Sequence, residues 1–247
     1  MKRIKFKSLV PNLITLTGLC FGLSSIRFAF EDQFELGVAC ILIAAVCDTL
    51  DGFFARMLKS SSELGAQLDS LSDFLCFGIA PAILLYMSIM EDARLVGEIT
   101  VVAYVIFSCL RLAIFNTNLI SDDDGLKVNG FFSGVPTPAG SILIILPVTH
   151  AFLGGNWAYE HPNIIAAYTI IIGLLLISNI PTYSIKRKFL ILEKGNYIIF
   201  ISLFAMIMMG LINFPWIALN IIGVIYILTI PFSINSWFRE KELINKT

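Results

Sequence analysis

The sequence predicts an all-α membrane protein, and three observations support that class. Hydrophobic residues make up 57% of the 247 positions and charged residues 14%, against roughly 25% charged residues in ordinary globular domains. The apolar residues also form long runs, and about 20 of them in a row make a helix that can cross a hydrocarbon core of roughly 30 Å. Finally, Lys and Arg are concentrated in alternate segments between the runs.

Eight apolar runs predict eight transmembrane helices. They lie at 9–30, 34–56, 68–90, 97–118, 136–153, 163–181, 197–213 and 215–237. No small-residue cleavage site follows the first run, so we expect a retained helix rather than a signal peptide. The runs take up most of the chain, so we expect a single integral membrane domain over 1–247, without a separate soluble domain.

The basic residues predict the orientation of these helices. Lys and Arg precede the first run and follow the second, fourth, sixth and eighth, while the opposite loops are mainly acidic. Cytoplasmic loops carry the excess of Lys and Arg, so both termini should face the cytoplasm from a multi-pass inner (cytoplasmic) cell membrane. Residues 1–8 alternate basic and apolar types. They form either an interfacial segment on anionic headgroups or a simple topogenic tail.

Partners in solution are less evident from composition. The formal net charge of −1 gives no reason to expect a nucleic-acid partner.

The five cysteines lie in or beside apolar runs and form no CxxC pair. We expect them to serve as small packing residues rather than as disulfide or zinc ligands.

Four aspartates lie where charge is costly, at the cytoplasmic ends of the second and third spans. Asp48 and Asp51 are three residues apart and Asp69 and Asp73 four apart, so each pair shares one face of a helix. A short loop joins the two helices, so all four carboxylates can converge. They would repel one another unless cations compensate them. Oxygen ligands without Cys or His favour Mg²⁺ or Mn²⁺, with Ca²⁺ as an alternative. Solvated carboxylates paired with basic loop residues are the competing interpretation.

The segment 48–73 carries a longer pattern around these aspartates. It reads DxxDGxxAR, then eight residues, then GxxxDxxxD. At every fixed position the pattern resembles the signature of the CDP-alcohol phosphotransferases. The resemblance implies a six-helix catalytic core, here followed by two C-terminal helices, and a homodimer. It also implies metal-assisted transfer of a phosphatidyl-type group from a CDP-linked lipid to an alcohol, with release of CMP.

The same resemblance implies a role for each aspartate. Asp48, Asp51 and Asp69 would bind a first metal ion, and Asp69 and Asp73 a second. Asp73 would also be the catalytic base that takes the proton of the attacking alcohol. Two ions of this kind, Mg²⁺ or Mn²⁺, neutralise the diphosphate and can clamp the attacking and leaving oxygens.

Other residues are expected to contact the CDP-linked lipid. The segment 11–15 resembles the family's PNxxT segment, which lines the cytidine pocket, although an N-cap role for its polar residues is equally good. Small residues in the signature let a nucleotide approach the helix backbone closely. An arginine there would grip a phosphate with its forked donors, or serve only as a topogenic charge. The expected contacts are Asn12, Thr15, Asp48, Gly52, Ala55, Arg56 and Ser62.

Two further segments bear on the acceptor alcohol. LRLAIFN at 110–116 and FFSGVPTP at 131–138 resemble segments of the phosphatidylserine synthase branch of this family, which usually read LRLARFN and FxGLPxP. Ile114 replaces the usual second arginine. The resemblance implies CDP-diacylglycerol and serine as substrates. Gly134, Pro136 and Pro138 look like a rigid turn entering the fifth span.

Arg111 is the predicted acceptor-site cation. A guanidinium inside a span is costly unless it faces a cavity and an anion, such as a serine carboxylate or a lipid phosphate. The alternative is an arginine that snorkels to the headgroups. Asn116 and Asn129 are further candidate polar contacts.

Three alternatives stay open at this point. The acceptor can instead be glycerol phosphate, inositol or inositol phosphate, although phosphorylated acceptors should need more basic residues inside the spans. A membrane prenyltransferase also binds Mg²⁺-diphosphate, but typically through two separated Asp-rich motifs. An ion-coupled transporter uses intramembrane carboxylates, yet it has no reason to carry Gly52, Ala55 and Arg56 at this spacing.

Overall fold

The computed structural model describes residues 6–60, 62–121, 131–183 and 212–244, with single positions between 202 and 210. In chain order the helices are α1 (Phe6–Phe30), α2 (Phe34–Met57), α3 (Glu63–Asp73), α4 (Ala80–Leu85), α5 (Leu95–Ser121), α6 (Thr137–Ala151), α7 (Trp157–Glu160), α8 (Pro162–Ile177) and α9 (Pro215–Ile244). The strands are β1 (Phe131–Ser133) and β2 (Pro181–Tyr183). The helical membrane class is therefore confirmed.

Among these described residues, five helical segments are long and apolar enough to cross a membrane. They are Leu9–Phe30, Phe34–Met57, Glu63–Ala93, Leu95–Thr117 and Pro215–Ile234, which correspond to the first four predicted spans and the last. Helices α6 and α8, with 15 and 16 residues, are apolar but shorter than the roughly 20 residues of a full crossing. Most of the seventh predicted span lies outside the described residues, so the number eight stays a prediction.

Two predicted spans have different ends in the structure. The third begins at Glu63 rather than 68 because Ser62 caps it, its hydroxyl oxygen accepting a hydrogen bond from the Gly65 N–H at 3.0 Å. Serine is a preferred N-cap residue. The sixth ends at Ile177 rather than 181, because Ser178 adopts an extended backbone. The chain then enters β2 at Pro181, which has no N–H for a helix.

The segment Glu63–Ala93 is continuous but not uniformly α-helical. Two wider π-helical stretches, Phe74–Ile79 and Tyr86–Met90, flank α4. Pro81 cannot donate to the carbonyl four residues before it, and that carbonyl, of Phe77, instead accepts the Tyr104 hydroxyl at 3.2 Å. The π-helical turn thus accommodates a proline without leaving a buried carbonyl unpaired.

Close helix packing places α3 beside α1 and α2. Helix α1 packs along the length of α2 and also contacts α3 and α4. A Cβ on Gly22 would lie 2.6 Å from the Cys76 sulfur, and one on Gly18 3.1 Å from the Cys47 Cβ. Small residues at such crossings let membrane helices approach closely. These contacts fix the positions of the polar residues on α1 relative to the aspartates.

A short two-stranded ribbon lies beside the last helix, and nothing in the sequence indicated it. Strands β1 and β2 are antiparallel, with Ser133 opposite Pro181, and β2 packs against α9. Gly134 follows the ribbon with φ +73°, and a Cβ there would lie 2.7 Å from the carbonyl oxygens of Leu176 and Ser178. The predicted turn before α6 is therefore present, and its glycine is required both by the backbone angle and by the close contact.

Candidate active site

The four aspartates of α2 and α3 converge. Carboxylate oxygens of Asp48, Asp51 and Asp69 all lie within 4.8 Å of one another. Asp73 lines one cavity together with these three aspartates. Helical spacing on two adjacent helices therefore brings four acidic groups to one place.

Helix α1 contributes a hydrogen bond to this cluster. The Thr15 hydroxyl lies 2.6 Å from Asp51 Oδ2 and 3.1 Å from the Pro11 carbonyl oxygen. Asp51 itself is only 5% exposed, so the hydroxyl fixes a buried carboxylate. Both Asn12 and Thr15 lie inside α1, which begins at Phe6. The N-cap interpretation of these residues is therefore wrong.

No lysine or arginine that the structure describes forms a salt bridge with the cluster. The ion pair seen among the described residues joins Arg27 and Glu31, at 3.2 Å. Close carboxylates need compensating charge when they leave bulk water. Opposite ligands of a Mg²⁺ ion lie about 4.2 Å apart, from metal–oxygen distances of about 2.1 Å. The spread of the three carboxylates is close to that value, so the donor set fits a hard divalent cation.

A smaller cavity, of about 180 Å³, adjoins the cluster on the α1 side. It is lined by Asp51 and Asp69 and by five of the predicted lipid-nucleotide contacts, namely Asn12, Thr15, Gly52, Ala55 and Ser62. The remaining two predicted contacts, Asp48 and Arg56, do not line it. Polar groups and small side chains from three consecutive helices therefore share one recess.

Two glycines explain the shape of this recess. A Cβ on Gly52 would meet only the Arg56 guanidinium, at 3.6 and 3.9 Å, so protein packing does not require glycine there. Its effect is to leave space in the cavities that it lines. A Cβ on Gly65, in contrast, would lie 3.0 Å from Asn12 Oδ1 and 3.1 Å from Ser62 Oγ. Gly65 therefore lets α3 approach α1 closely.

A larger cavity, of about 410 Å³, lies on the other side of the cluster between α2, α3, α5 and the start of α6. Asp51, Gly52 and Asp69 line both cavities, whereas Asp48, Asp73 and Arg56 line only the larger one. Pro136, Thr137 and Pro138 form the opposite wall. From the sequence this turn was expected to be structural, and its place in the cavity wall was not predicted.

Arg111 also lines the larger cavity. Its side chain is only 8% exposed, so it does not snorkel out to the headgroups. It makes no hydrogen bond or ion pair with any residue that the structure describes. A buried, unneutralised guanidinium beside a cavity is typical of a site that receives an anion.

Of the two predicted asparagines, the one that the structure describes does not line the cavity beside Arg111. Asn116 lines neither cavity; its Nδ2 donates to Ser70 Oγ at 3.0 Å, which connects α5 to α3 between Asp69 and Asp73. Asn129 lies outside the described residues. The amide of Asn116 therefore contacts the helix that carries the aspartates instead of facing the cavity.

Comparison with known proteins agrees with this constellation. The model of the CDP-alcohol phosphatidyltransferase family matches residues 8–178. The chain is 34% identical over 233 residues to the CDP-diacylglycerol–serine O-phosphatidyltransferase of Mycobacterium leprae, covering 92% of this chain and 75% of the relative. The proteins of the same name from Helicobacter pylori and Methanocaldococcus jannaschii are 31% and 32% identical. Those matches cover 72% and 85% of this chain and 73% and 87% of the relatives.

The chain therefore belongs to the CDP-alcohol phosphatidyltransferase family, as the signature between Asp48 and Asp73 predicted. It is a transferase of a family that generally depends on divalent metal ions, and its aspartate cluster can hold one. The family match ends at residue 178, so β2 and α9 lie beyond it.

Proposed function

We propose that this protein transfers a phosphatidyl group from CDP-diacylglycerol to L-serine, giving phosphatidylserine and CMP. The observation that carries the proposal is the buried Arg111 guanidinium, which lines the same cavity as Asp48 and Asp73. A carboxylate-bearing acceptor would neutralise that charge next to the reacting groups. Relatives with the corresponding name match most of the chain, which supports the same acceptor.

In this proposal each substrate occupies one cavity. The cytidine end of the lipid lies in the smaller recess against Asn12, Thr15, Ala55 and Ser62, where a nucleotide can approach the backbone at Gly52. Its diphosphate reaches the carboxylates shared by the two cavities, within range of the Arg56 guanidinium. Serine enters the larger cavity.

The chemistry follows from that placement. Asp73 accepts the proton of the serine hydroxyl while the hydroxyl oxygen attacks the lipid-side phosphorus. The bond between that phosphorus and the bridging oxygen breaks, and the electron pair leaves with CMP. A carboxylate assists in this way only within hydrogen-bonding reach of the hydroxyl, and Asp73 lines the cavity assigned to serine.

Mg²⁺ or Mn²⁺ is the proposed cofactor. Asp48, Asp51 and Asp69 would hold one ion, and Asp69 and Asp73 a second. Bound there, divalent cations supply neutralisation of the diphosphate and of the leaving phosphate.

An acceptor without a phosphate fits the larger cavity better than a phosphorylated one. Arg56 and Arg111 are the basic side chains among its described lining residues, and Arg56 lies beside Gly52 at the diphosphate position. That arrangement leaves one buried guanidinium for the acceptor. The alternative acceptors to be tested against serine are inositol, glycerol phosphate and inositol phosphate.

The protein is proposed to act in the inner (cytoplasmic) cell membrane as a homodimer, with both termini and the aspartates on the cytoplasmic side. The distribution of Lys and Arg supports this orientation. Serine and CMP, which are water-soluble, would then enter and leave from the cytoplasm.

An acceptor panel tests the proposed reaction. Purified protein in detergent micelles would receive CDP-diacylglycerol labelled in the cytidine, Mg²⁺ or Mn²⁺, and one acceptor at a time, and labelled CMP would be measured. We expect CMP release to require serine and to form phosphatidylserine. CMP release with another alcohol but not with serine would refute the serine assignment and leave the family assignment standing.

A further inference from the structure

Asn116 joins two of the helices that line the larger cavity. Its Nδ2, on α5, donates to Ser70 Oγ at 3.0 Å, and Ser70 lies on α3 between Asp69 and Asp73. The Ser70 hydroxyl has one proton, and its oxygen lies 3.0 Å from the Ala66 carbonyl oxygen but 3.3 Å from Asn116 Oδ1. The serine therefore donates within α3 and accepts from the asparagine.

A second hydrogen bond joins α5 to the segment Glu63–Ala93, farther from the α2–α3 loop. The Tyr104 hydroxyl donates to the Phe77 carbonyl oxygen at 3.2 Å. The two segments are in close contact there, since a Cβ on Gly78 would lie 2.8 Å from Ser108 Oγ. From the first bond to the second, residue numbers rise along one segment and fall along the other, so the segments are antiparallel.

Two functional groups of the larger cavity lie between these hydrogen bonds. Asp73 lies between the two bonded residues of its segment, and Arg111 lies between the two bonded residues of α5. Both line the larger cavity. Helix α3 packs mainly against α1, and α5 mainly against α8, so direct packing of α3 on α5 is slight among the described residues. The hydrogen bond from Asn116 therefore fixes α5 relative to α3 on the side of the α2–α3 loop.

We propose that Asn116 is a positioning residue that sets the separation of α5 from α3, and with it the place of Arg111 relative to Asp73. Asn116 lines neither cavity, so it acts through these two groups and not by touching a substrate. A displacement of about 1 Å is enough to impair a site that must align two reactants. The smaller cavity contains no residue of α5, so the hydrogen bond should matter for the acceptor and not for the nucleotide. This inference rests on the proposed function in placing the acceptor in the larger cavity.

The experiment compares Asn116→Leu with Asn220→Leu in the full-length protein. Asn220, on α9, is the matched control because its Nδ2 also donates to a hydroxyl of a neighbouring helix, that of Thr149 at 3.0 Å, and it lines neither cavity. KM and kcat for serine, the binding of CMP with Mn²⁺ and the thermal unfolding midpoint would be measured for each variant.

We expect Asn116→Leu to raise KM for serine about fivefold, the size of one lost hydrogen bond, with CMP binding changed less than about twofold. A smaller folded fraction would lower the apparent kcat and leave KM unchanged, so KM separates positioning from simple loss of stability. Asn220→Leu should lower the unfolding midpoint as Asn116→Leu does, but it should change neither KM nor CMP binding.

Ser70→Ala distinguishes positioning from a direct contact between Asn116 and the acceptor. It removes the hydrogen-bond acceptor on α3, Ser70 lines neither cavity, and alanine favours the helix. We expect Ser70→Ala to raise KM for serine as Asn116→Leu does, and the double variant to show little further change, because the two residues share one interaction. The same variant tests the inference if Asn116→Leu does not fold.

An unchanged KM in folded Asn116→Leu or Ser70→Ala, additive effects in the double variant, or an equal rise in Asn220→Leu would each overturn the inference. So would an equal weakening of CMP binding in Asn116→Leu, because α3 would then have moved at both cavities. Failure of the proposed function is distinguishable from failure here. If the unmodified protein released CMP with a different alcohol only, the serine assignment would fall, and KM for that alcohol in the same variants would still decide the role of Asn116.

Discussion

The two cavities beside the aspartates differ in how the chain builds them. The smaller is formed by α1, α2 and α3 and uses residues between 11 and 69. The larger combines α2 and α3 with α5 and the turn before α6, and β2 and α9 support that side of the molecule. One cavity thus comes from consecutive helices, and the other depends on elements far apart in the chain.

The difference between the cavities matches the two substrates that they are proposed to bind. A nucleotide has a fixed shape, and a recess of about 180 Å³ with small and polar side chains suits one part of it. The larger cavity, of about 410 Å³, has room for an acceptor beside the lipid phosphate. The shared carboxylates of Asp51 and Asp69 lie where the two substrates would meet. Four predictions test whether the cavities act separately.

Removal of divalent metal should have the largest effect, because both cavities meet at the aspartate cluster. Treatment with EDTA should abolish CMP release, and added Mg²⁺ or Mn²⁺ should restore it. The thermal unfolding midpoint in detergent, measured alongside, shows whether the metal-free protein is still folded. Full activity in a folded, metal-free protein would contradict a metal role for the cluster.

Asp73→Asn should have the next largest effect. Loss of a positioned base typically lowers kcat by about 10²–10⁴-fold, while CDP-diacylglycerol should remain bound in the smaller cavity, which Asp73 does not line. Single-turnover CMP release and lipid binding would be measured together. Asp92→Asn is the control, since Asp92 lies at the opposite end of the same helical segment, in the turn Glu91–Ala93. Retained turnover in Asp73→Asn would argue against Asp73 as the base.

Arg111→Lys should affect the larger cavity alone. A lysine keeps the charge but loses the forked donors, so we expect KM for the anionic substrate to rise roughly tenfold or more. Steady-state kinetics with each substrate varied in turn would measure it. Arg27→Lys is the control, because Arg27 pairs with Glu31 and lines neither cavity. Equal changes in KM in both variants would mean that losing a guanidinium anywhere in the protein has this effect, and would contradict a specific role for Arg111 in the larger cavity.

Gly52→Ala should have the smallest effect, and it should change ligand binding without lowering stability. The added Cβ meets only the Arg56 side chain, at 3.6 Å or more, so the fold should tolerate it. Alanine inside a helix is more favourable than glycine by about 0.5–1 kcal/mol, so the unfolding midpoint should stay the same or rise. KM for CDP-diacylglycerol should nevertheless rise, because the methyl group enters ligand space. A fall in stability that parallels the loss of activity would show that Gly52 serves packing instead.

The difference between the two cavities also explains which parts of the site the sequence could predict. The aspartate cluster between the cavities depends on Asp48 and Asp51, and on Asp69 and Asp73, at fixed helical spacings, and a spacing of three or four residues determines which side chains share a face. Asn12 and Thr15 required the family resemblance, because no local rule says that α1 packs against α3.

The rest of the site depends on long-range packing. The local sequence of Pro136, Thr137 and Pro138 predicts only a turn. Its position beside α2 and α5 makes this turn part of the cavity wall. The three-residue strands are too short to give an alternating pattern. Asn116 was expected to contact a ligand, yet a polar residue in an apolar helix can be satisfied equally well by a neighbouring helix, here through Ser70.

Binding of CMP tests the division between the cavities most directly. Isothermal titration with CMP and Mn²⁺ would compare the unmodified protein with Ala55→Leu, which enlarges a residue that lines only the smaller cavity, and with Arg111→Lys. We expect Ala55→Leu to weaken CMP binding at least tenfold by steric exclusion, on the order of the 1–3 kcal/mol cost of overpacking. Arg111→Lys should leave CMP binding unchanged. Weaker binding in Arg111→Lys with normal binding in Ala55→Leu would contradict the assignment of the nucleotide to the smaller cavity.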